Sequence, residues 1–337
     1  MNHPELSVVM PIFNGGDFVE RALESLRRQD FQDFELVAVD DGSLDSTAGV
    51  LADFARRDPR IRVFHQEHAG IVGALNRGIA CSRAPVIARM DADDVALAGR
   101  LSAQLEYLLG RPDVGVVACR VGTEGSAGRG TRGFTEYVRW QNRLLDHASM
   151  FTNRFVESPV AHPSVMYRKE VVERLGGYRE GDFPEDYELW LRLMEAGVVF
   201  HKLPEVLLRW HDSPDRLTRV DRRYRRPAFF RVKARYLARW LKDREDRPVL
   251  IWGNSRTVRK RAKMLTRHGV PVAGFITIEQ KPRSIGDGIR VYHYREIPPP
   301  EEAFVVSYVA QRGARSRIRA MLRERGFVEG SDFLCAA

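Results

Sequence analysis

Three carboxylates crowd into the short segment Arg89-Met90-Asp91-Ala92-Asp93-Asp94. The apolar run at 85–88 before it has the length and residue types of a buried strand. Carboxylates this close repel one another unless a positive charge lies between them. A divalent cation such as Mg²⁺ or Mn²⁺ takes oxygen ligands of this kind and often holds substrate phosphates as well. The alternative is a solvated acidic turn that caps a helix starting near Leu97, which is the commoner meaning of an isolated Asp-x-Asp.

A second acidic cluster, Asp40-Asp41-Gly42-Ser43, follows another strand-like run. Around the two clusters, strands alternate with helices, which predicts an α/β fold with a mostly parallel sheet covered on both faces. The predicted strands are residues 6–10, 34–39, 61–64, 85–90 and 114–118, and the predicted helices include residues 17–29, 70–82 and 97–109. Since parallel strands end at the same edge of a sheet, both clusters should face one crevice.

A third acidic pair, Glu185 and Asp186, follows Pro184 and begins a helical pattern. Pro184 favours a helix start, which places both carboxylates in the first turn, near the positive end of the helix dipole. Trp190 on the same helix is expected to be buried. Considered alone, the pair is more simply explained as ordinary N-terminal charges of a surface helix.

Five motifs in order resemble family 2 glycosyltransferases of the GT-A fold, over about residues 4–213. They are Ser7-Val8-Val9-Met10-Pro11-Ile12-Phe13-Asn14, Val39-Asp40-Asp41-Gly42-Ser43, Ala74-Leu75-Asn76-Arg77-Gly78, Met90-Asp91-Ala92-Asp93-Asp94 and Pro184-Glu185-Asp186-Tyr187-Glu188-Leu189-Trp190. Each motif alone is weak, and the specificity comes from their order. The resemblance implies a GT-A domain with a mixed, mostly parallel sheet. It also implies an inverting transferase that uses a nucleotide sugar, usually UDP-linked, with Mg²⁺ or Mn²⁺.

The resemblance also implies roles for individual residues. Asp186 resembles the catalytic base, Asp93 a metal ligand, and His211 a late histidine that closes over the diphosphate or metal. Residues implied to bind the nucleotide sugar are Pro11, Asn14, Asp41 (the uracil-binding carboxylate), Arg77, Asp91 and Ala92. His68 stands where the family often has Asn. Candidate residues on the acceptor side are His162, Glu185 and Trp190, although a structural hydrogen bond is the plainer explanation for His162.

Composition indicates the cellular compartment in which the protein is expected to work. Hydrophobic residues make up 44% of the 337-residue chain, enough for real cores. The three cysteines are scattered without CxxC spacing, which argues against a zinc site or a disulfide framework and fits a reducing cytoplasm. We see no signal-peptide pattern and no stretch near the roughly 20 apolar residues that span a bilayer. We therefore expect a cytoplasmic protein, with peripheral attachment to the inner face of the cell membrane as a further option.

Residues 209–247 hold 14 basic and 6 acidic side chains, a difference of 8 that accounts for most of the formal charge of +9. Aromatic and aliphatic residues interleave with the basic ones at helical spacing. One interpretation is an interfacial helix that meets anionic lipid headgroups or an anionic acceptor. The other is a helix that packs its aromatic side chains on the catalytic domain and leaves its arginines in solvent.

The chain restarts at Pro248 with alternating strands and helices that predict a small α/β unit of Rossmann type. This unit resembles the N-terminal nucleotide-binding-like domain of some sugar acyltransferases. Gly253 is a lone glycine and GxGxxG is absent, so dinucleotide binding is unsupported, and a docking or acceptor-positioning module is the plainer hypothesis. The predicted organisation is a GT-A domain at 1–213, a basic helical linker at 214–247 and a Rossmann-like domain at 248–337.

The sequence predicts an inverting glycosyltransferase that moves sugar from a UDP-sugar to a hydroxyl of a glycan or lipid-linked acceptor, as in the synthesis of cell-surface polysaccharide. A non-catalytic nucleotide-sugar-binding protein is the first alternative, against which the presence of Asp91, Asp93 and Asp186 argues. A nucleic-acid binder is suggested by charge alone. The acidic crevice and the absence of a nucleic-acid-binding motif argue against it.

Overall fold

A computed structural model describes residues 3–125, 131–213, 216–279, 288–311 and 313–337, which form two compact units. The first unit holds the residues up to His147, together with Pro159–Gly181 and Glu185–Val220. The second holds Ala148–Ser158, Asp182–Pro184 and Asp221–Ala337. The basic segment after Val220 is therefore grouped with the C-terminal strands, and the division at residues 213 and 247 stays a prediction.

The first unit is built on eight strands with helices between them. In chain order the elements are β1 (Leu6–Ile12), α1 (Val19–Arg27), β2 (Phe34–Asp40), α2 (Thr47–Arg57), β3 (Ile61–His65), α3 (Gly70–Cys81), β4 (Val86–Arg89), β5 (Val95–Ala96), α4 (Arg100–Gly110), β6 (Val114–Gly125), α5 (Thr131–Gln141), α6 (His147–Asn153, of which all but the first residue belongs to the second unit), β7 (Met166–Arg168), α7 (Lys169–Arg174), α8 (Glu185–Glu195), β8 (Val199–Asp212) and α9 (Leu217–Val220).

The strands of the first unit lie in the order β3-β2-β1-β4-β7-β6-β8-β5. Strands β1 to β4 are mutually parallel, as are β6 and β8, whereas β7 is antiparallel to both of its neighbours and β5 is antiparallel to β8. The predicted mixed, mostly parallel α/β sheet is confirmed. Because β2 and β4 flank β1 in parallel, the segments that follow them leave the sheet at the same edge, as expected for the two acidic clusters.

Helix α3 packs tightly against the sheet at Gly78. A Cβ atom at Gly78 would overlap Cγ1 of Val9 in β1, so glycine lets the helix approach the strand closely. Strand β1 continues two residues further than predicted and includes Pro11. Pro11 lacks an amide hydrogen, but its nitrogen points to the side where pairing with β4 stops at Val9, so no ladder bond is missing.

The second unit contains α10 (Arg226–Arg244), β9 (Val249–Trp252), α11 (Arg256–Arg267), β10 (Val272–Thr277), β11 (Arg290–His293), β12 (Phe304–Ser307), α12 (Ala314–Arg323) and β13 (Phe333–Cys335). Its five strands are all parallel, in the order β11-β10-β9-β12-β13, which is consistent with a small α/β unit. None of the helices in the described part of the chain combines the length and apolar character needed to span a bilayer.

Helix α10 packs its aromatic side chains inside the second unit. The rings of Phe230 and Tyr308 lie 6.3 Å apart, and those of Trp240 and Phe304 lie 5.6 Å apart. The sequence predicted lipid or the catalytic domain as the surface that these aromatics meet. The structure instead shows them against strand β12 and the residue that follows it, because β12 places Phe304 and Tyr308 within ring-contact distance of the helix.

Candidate active site

The carboxylates of Asp91, Asp93 and Asp94 come together directly after β4, with ligand oxygens within 4.8 Å of one another. Asp94 is fully buried, and its Oδ1 accepts the backbone N–H of His211 (2.7 Å). Its Oδ2 is also buried and has no partner among the described residues. Burial, and then the charge of Asp91, raises the pKa of Asp93 to about 6. Burial and both neighbouring carboxylates raise the pKa of Asp94 well above its usual range.

This excess of negative charge, together with an oxygen that lacks a partner, fits a bound divalent cation. The sequence predicts a candidate cation site at all three carboxylates, but it assigns individual roles only to Asp91 and Asp93 and none to Asp94. The bond from β8 that holds Asp94 spans 117 residues, a contact that spacing along the chain does not reveal.

His211 lies beside this acidic cluster but does not belong to it. Its ring is 5.1 Å from that of Phe18, and its Nδ1 is buried without a partner in the described part of the chain. Burial, followed by the charges of Arg21 and Arg216, lowers its pKa, which favours the neutral imidazole that binds metals. A role for His211 at the diphosphate or metal stays a prediction.

Arg89, the last residue of β4, is a functional candidate that sequence reasoning did not select. It is 97% buried and forms an ion pair with Asp91 through Nη1. Burial is the largest single effect and lowers the pKa of Arg89, but the surrounding groups, with Asp91 first and Asp94 among the others, together outweigh burial and raise it. The available signal was an arginine at the end of an otherwise apolar strand, since a buried arginine needs a counter-charge.

Asp186 lies in the first turn of α8, as predicted, and it differs from the acidic residues beside it. Glu185 and Glu188 are buried, and Glu188 forms a salt bridge with Arg192 (2.8 Å). Asp186 is surrounded by protein but keeps accessible surface, while its Oδ1 accepts the backbone N–H of Tyr187 (2.7 Å). Burial, followed by the charge of Glu185, raises the pKa of Asp186 to about 7. Asp186 is therefore a half-buried residue whose carboxylate can take up a proton near neutral pH.

Two of the predicted nucleotide-binding residues, Asn14 and Asp41, lie in the loops after β1 and β2. Asn14 has a positive φ of 51°. Its N–H donates to Oγ of Ser43 (2.9 Å), and its Oδ1 accepts the N–H of Leu44 (2.8 Å). These bonds tie the two loops together. Pro11 is buried in β1, Ala92 is half-buried, and Arg77 is exposed on α3.

Asp41 is buried and caps helix α3. Its Oδ1 accepts the N–H of Ala69 (2.8 Å), and its Oδ2 accepts the N–H of Gly70 (2.9 Å). The side chain of Gln66 also donates to Oδ1, and the ring of His68 lies 3.0 Å from Oδ2. The structure thus gives this carboxylate a local structural role, and its predicted reading of uracil stays a prediction.

Comparison with known proteins agrees with this architecture. The family described as "Glycosyl transferase family 2" matches residues 7–176, which is 170 of the 337 residues. The chain belongs to this glycosyltransferase family. The amylovoran biosynthesis glycosyltransferase AmsE of Erwinia amylovora is 30% identical over 214 residues, covering 62% of this chain and 77% of that protein.

Two further proteins are similar to this glycosyltransferase. The UDP-Gal:alpha-D-GlcNAc-diphosphoundecaprenol beta-1,3-galactosyltransferase of Escherichia coli is 29% identical over 208 residues, covering 61% of this chain and 73% of that protein. The crystal structure of S. aureus TarS 1-349 in complex with UDP-GlcNAc superimposes with a TM-score of 0.57 at 18% identity, covering 78% of this chain and 71% of that one. The GT-A fold predicted from the motifs is confirmed.

The three candidate acceptor-side residues of this glycosyltransferase are all buried. Trp190 is fully enclosed, with its ring 5.9 Å from that of Phe200, and Glu185 is also enclosed. His162 forms a hydrogen bond between its Nε2 and the Tyr178 hydroxyl (2.7 Å), so the structural alternative for His162 is confirmed. Burial lowers the pKa of His162 well below its usual range. Contact of these side chains with an acceptor stays a prediction.

Replacing Asp41 by Asn should separate its capping role from base recognition. Asn keeps one oxygen and can therefore accept only one of the N–H groups of Ala69 and Gly70, so unfolding should become easier by about 1 kcal/mol. Asp45→Asn is a matched control, because Asp45 accepts the N–H of Thr47 at the start of α2. Chemical denaturation should show a similar loss for both variants. If Asp41 also reads the base, only Asp41→Asn should reduce the preference for UDP over GDP in calorimetry.

Proposed function

We propose that this glycosyltransferase moves a sugar, with inversion, from a UDP-sugar to a hydroxyl of a glycan or lipid-linked acceptor, with Asp186 as the base. The observation that carries the proposal is the half-buried Asp186, whose raised pKa suits a base, in the same compact unit as the Asp91, Asp93 and Asp94 cluster. The buried Arg89 acts electrostatically on both Asp91 and Asp186. An inverting transfer needs one base and no second carboxylate as nucleophile.

Different residues of the chain have different roles in the proposed reaction. Asp186 accepts the proton of the attacking hydroxyl, while the tied loops after β1 and β2 hold the nucleotide. Asp93, with Asp91 and Asp94, would hold Mg²⁺ or Mn²⁺, and His211 is proposed as a further contact. When bound, such an ion neutralises the charge that develops on the departing diphosphate.

The named relatives support the donor and the acceptor class. One relative is named for transfer from UDP-Gal to a diphosphoundecaprenol-linked sugar, and TarS is described in complex with UDP-GlcNAc. AmsE is named for the biosynthesis of amylovoran. We therefore propose UDP as the nucleotide and polysaccharide assembly at the cytoplasmic face of the cell envelope as the setting.

A donor screen tests this proposal. The full chain is incubated with individual UDP-sugars and Mg²⁺ or Mn²⁺, and released UDP is measured with and without lipid-linked and free glycan acceptors. Slow hydrolysis serves as the readout where no acceptor works. Release of UDP from at least one donor is expected, and the product anomer reports inversion. Tight UDP-sugar binding with no release under any condition would favour the alternative of a non-catalytic binding protein.

We also propose peripheral contact with an anionic membrane around α9. This short helix leaves Leu217 43% exposed and Val220 57% exposed. The adjoining sequence is strongly basic, with arginines at positions 219, 222, 223, 225 and 226. Exposed aliphatic side chains that are followed in sequence by arginines suit a headgroup interface, where each basic residue contributes about 1 kcal/mol.

Sedimentation with vesicles checks this surface. Binding to vesicles that contain phosphatidylserine should be clear at low salt and should fall steeply as salt increases. Replacing Leu217 and Val220 together by Ser should weaken it. Leu44→Ser is the control, because Leu44 is 92% exposed and lies in the loop after β2, away in sequence from the basic segment. Equal binding to neutral vesicles, or no binding, would contradict the proposal.

A further inference from the structure

The strand order of the second unit opens a crevice at the carboxyl edge of its sheet. The chain proceeds outward from β9 to β10 and β11, and then returns to place β12 on the other side of β9. All five strands are parallel, so the direction of the connections reverses between β9 and β12. In open parallel sheets, ligands bind outside the carboxyl ends of the two strands at such a reversal. The crevice therefore lies beyond Trp252 and Ser307, which are neighbours in the register of β9 and β12.

The loop that follows β9 is held close to the loop that follows β12. Gly253 has a φ of +105°, and its N–H donates to the carbonyl oxygen of Ile276 (2.8 Å). A Cβ atom at this position would lie 2.8 Å from Cγ2 of Val309, which is too close for a side chain. Glycine is therefore needed both for the left-handed backbone and for the close approach. Both loops border the same crevice.

Helix α11 begins at this crevice with the positive end of its dipole. The first N–H groups of a helix have no partner within the helix. Oγ of Ser255 accepts the N–H of Val258 (3.3 Å), which leaves those of Arg256 and Thr257 for a ligand in the described part of the chain. Helix α11 carries six basic side chains and no acidic one, with Arg256 exposed at its first position. Cations are unfavourable beside this end of a helix, and a bound anion offsets that repulsion.

Two side chains at the crevice have buried oxygens without partners. Oγ of Ser307, the last residue of β12, and Oδ1 of Asn254 form no hydrogen bond with any residue that the structure describes. Ser307 is 1% exposed, and its backbone carbonyl already accepts the N–H of Ala336 (2.8 Å). A buried oxygen with no partner is costly, whereas a ligand that bears hydroxyl groups supplies the missing hydrogen bonds. These oxygens therefore point to a ligand independently of the helix terminus.

We propose that the second unit binds a phosphorylated sugar in this crevice, with the phosphate at the start of α11 and sugar hydroxyls at Asn254 and Ser307. The sugar phosphate is either free or part of a nucleotide, since both present the same chemistry. The lone Gly253 suits one phosphate, in agreement with the absence of the dinucleotide pattern GxGxxG. The site belongs to the second unit and the proposed transfer site to the first, so its test does not depend on the transfer reaction.

Hydrogen exchange of the full chain, measured in peptides that cover residues 253–260, tests the proposal. Ribose 5-phosphate and uridine monophosphate are the probes, with ribose and inorganic phosphate as comparisons. With a probe at about ten times its Kd, exchange at the start of α11 should slow about tenfold. Protection by uridine monophosphate alone would identify the ligand as a nucleotide, and protection by both probes would show that the sugar phosphate suffices. No protection by either probe, or equal protection by inorganic phosphate, would overturn the proposal.

Ser255→Asp should abolish the site without removing the helix cap. Aspartate accepts the N–H of Val258 as serine does, but it places a negative charge where the phosphate would lie. Thermal stability should be kept, and protection by both probes should be lost. Thr266→Asp is the matched control, because it adds the same charge at an exposed position near the other end of α11. Protection that persists in Ser255→Asp, or that is lost equally in Thr266→Asp, would contradict the proposal.

Ser307→Ala provides a second measurement, which separates a ligand contact from a structural role. Removing a buried hydroxyl that has no partner should leave the thermal stability unchanged or slightly higher. In the same variant the affinity for ribose 5-phosphate, titrated through the exchange protection, should fall about fivefold, because one hydrogen bond to the ligand is lost. A marked loss of stability with unchanged affinity would show that Ser307 is structural and would overturn the proposed contact.

Discussion

Asp186→Asn should lower kcat by on the order of 10²–10⁴ and leave the affinity for the UDP-sugar nearly unchanged. The substitution keeps the size of the side chain and its ability to accept the N–H of Tyr187, but it removes the capacity to take a proton. Steady-state kinetics measures the turnover, and calorimetry with UDP measures donor-side binding. In the wild-type chain kcat should fall as pH drops through about 7, since a base with a raised pKa is progressively protonated there.

Glu185→Gln is the matched control for this experiment. Glu185 is buried next to Asp186, and its charge raises the pKa of Asp186. Removing that charge should shift the acidic limb to lower pH with little loss of kcat at high pH. If Glu185→Gln abolishes turnover and Asp186→Asn transfers sugar at close to the wild-type rate, then Glu185 is the base.

Asp93→Asn should weaken both donor binding and turnover. Burial and Asp91 raise the pKa of Asp93 to about 6, so a cation that neutralises the cluster should bind with a large contribution from this side chain. We expect metal-dependent affinity for UDP to fall by at least about tenfold. Calorimetry with UDP, with and without Mn²⁺, makes the measurement.

The surface variant Asp113→Asn is the control for a lost carboxylate, since Asp113 forms an exposed salt bridge with Arg111 (3.0 Å) outside the acidic cluster. It should bind UDP as the wild-type chain does. UDP binding that is insensitive both to EDTA and to Asp93→Asn would be evidence against a metal in this site. The raised pKa of Asp93 would then reflect burial and repulsion alone.

The regular alternation of strands and helices up to β4 made the first half of the fold predictable from sequence. Strands of this kind are continuous apolar runs, and each ends in polar residues that mark the edge. The later strands were harder to predict, because β5 has only two residues and β7 only three. Strand β8 contains Pro204 and exposed residues, so its 14 residues lack the expected pattern.

The prediction of single site residues from sequence was limited in the same way, because local patterns do not reveal contacts between distant segments. Asp93 and Asp186 could be selected because each lies inside a local motif. The roles of Asp94 and Arg89 depend on what is buried around them, and burial comes from strands distant in sequence. Helix α10 is similar, since its aromatic pattern predicted a packed or interfacial face but could not identify Phe304 and Tyr308 as its neighbours.

The interleaving of the two units along the chain has a consequence for the order of folding during synthesis. Residues 148–158 leave the ribosome among residues of the first unit, but their partners come much later. The Val156 carbonyl accepts from Lys233, 77 residues downstream, and the Asn153 side chain accepts from Arg319, 166 residues downstream. At about 5–20 residues per second, the second partner follows after roughly 8–33 seconds. During that interval the apolar Phe155 and Val156 lack the unit that buries them, so a nascent chain stopped near residue 220 should be recognised by chaperones as incomplete.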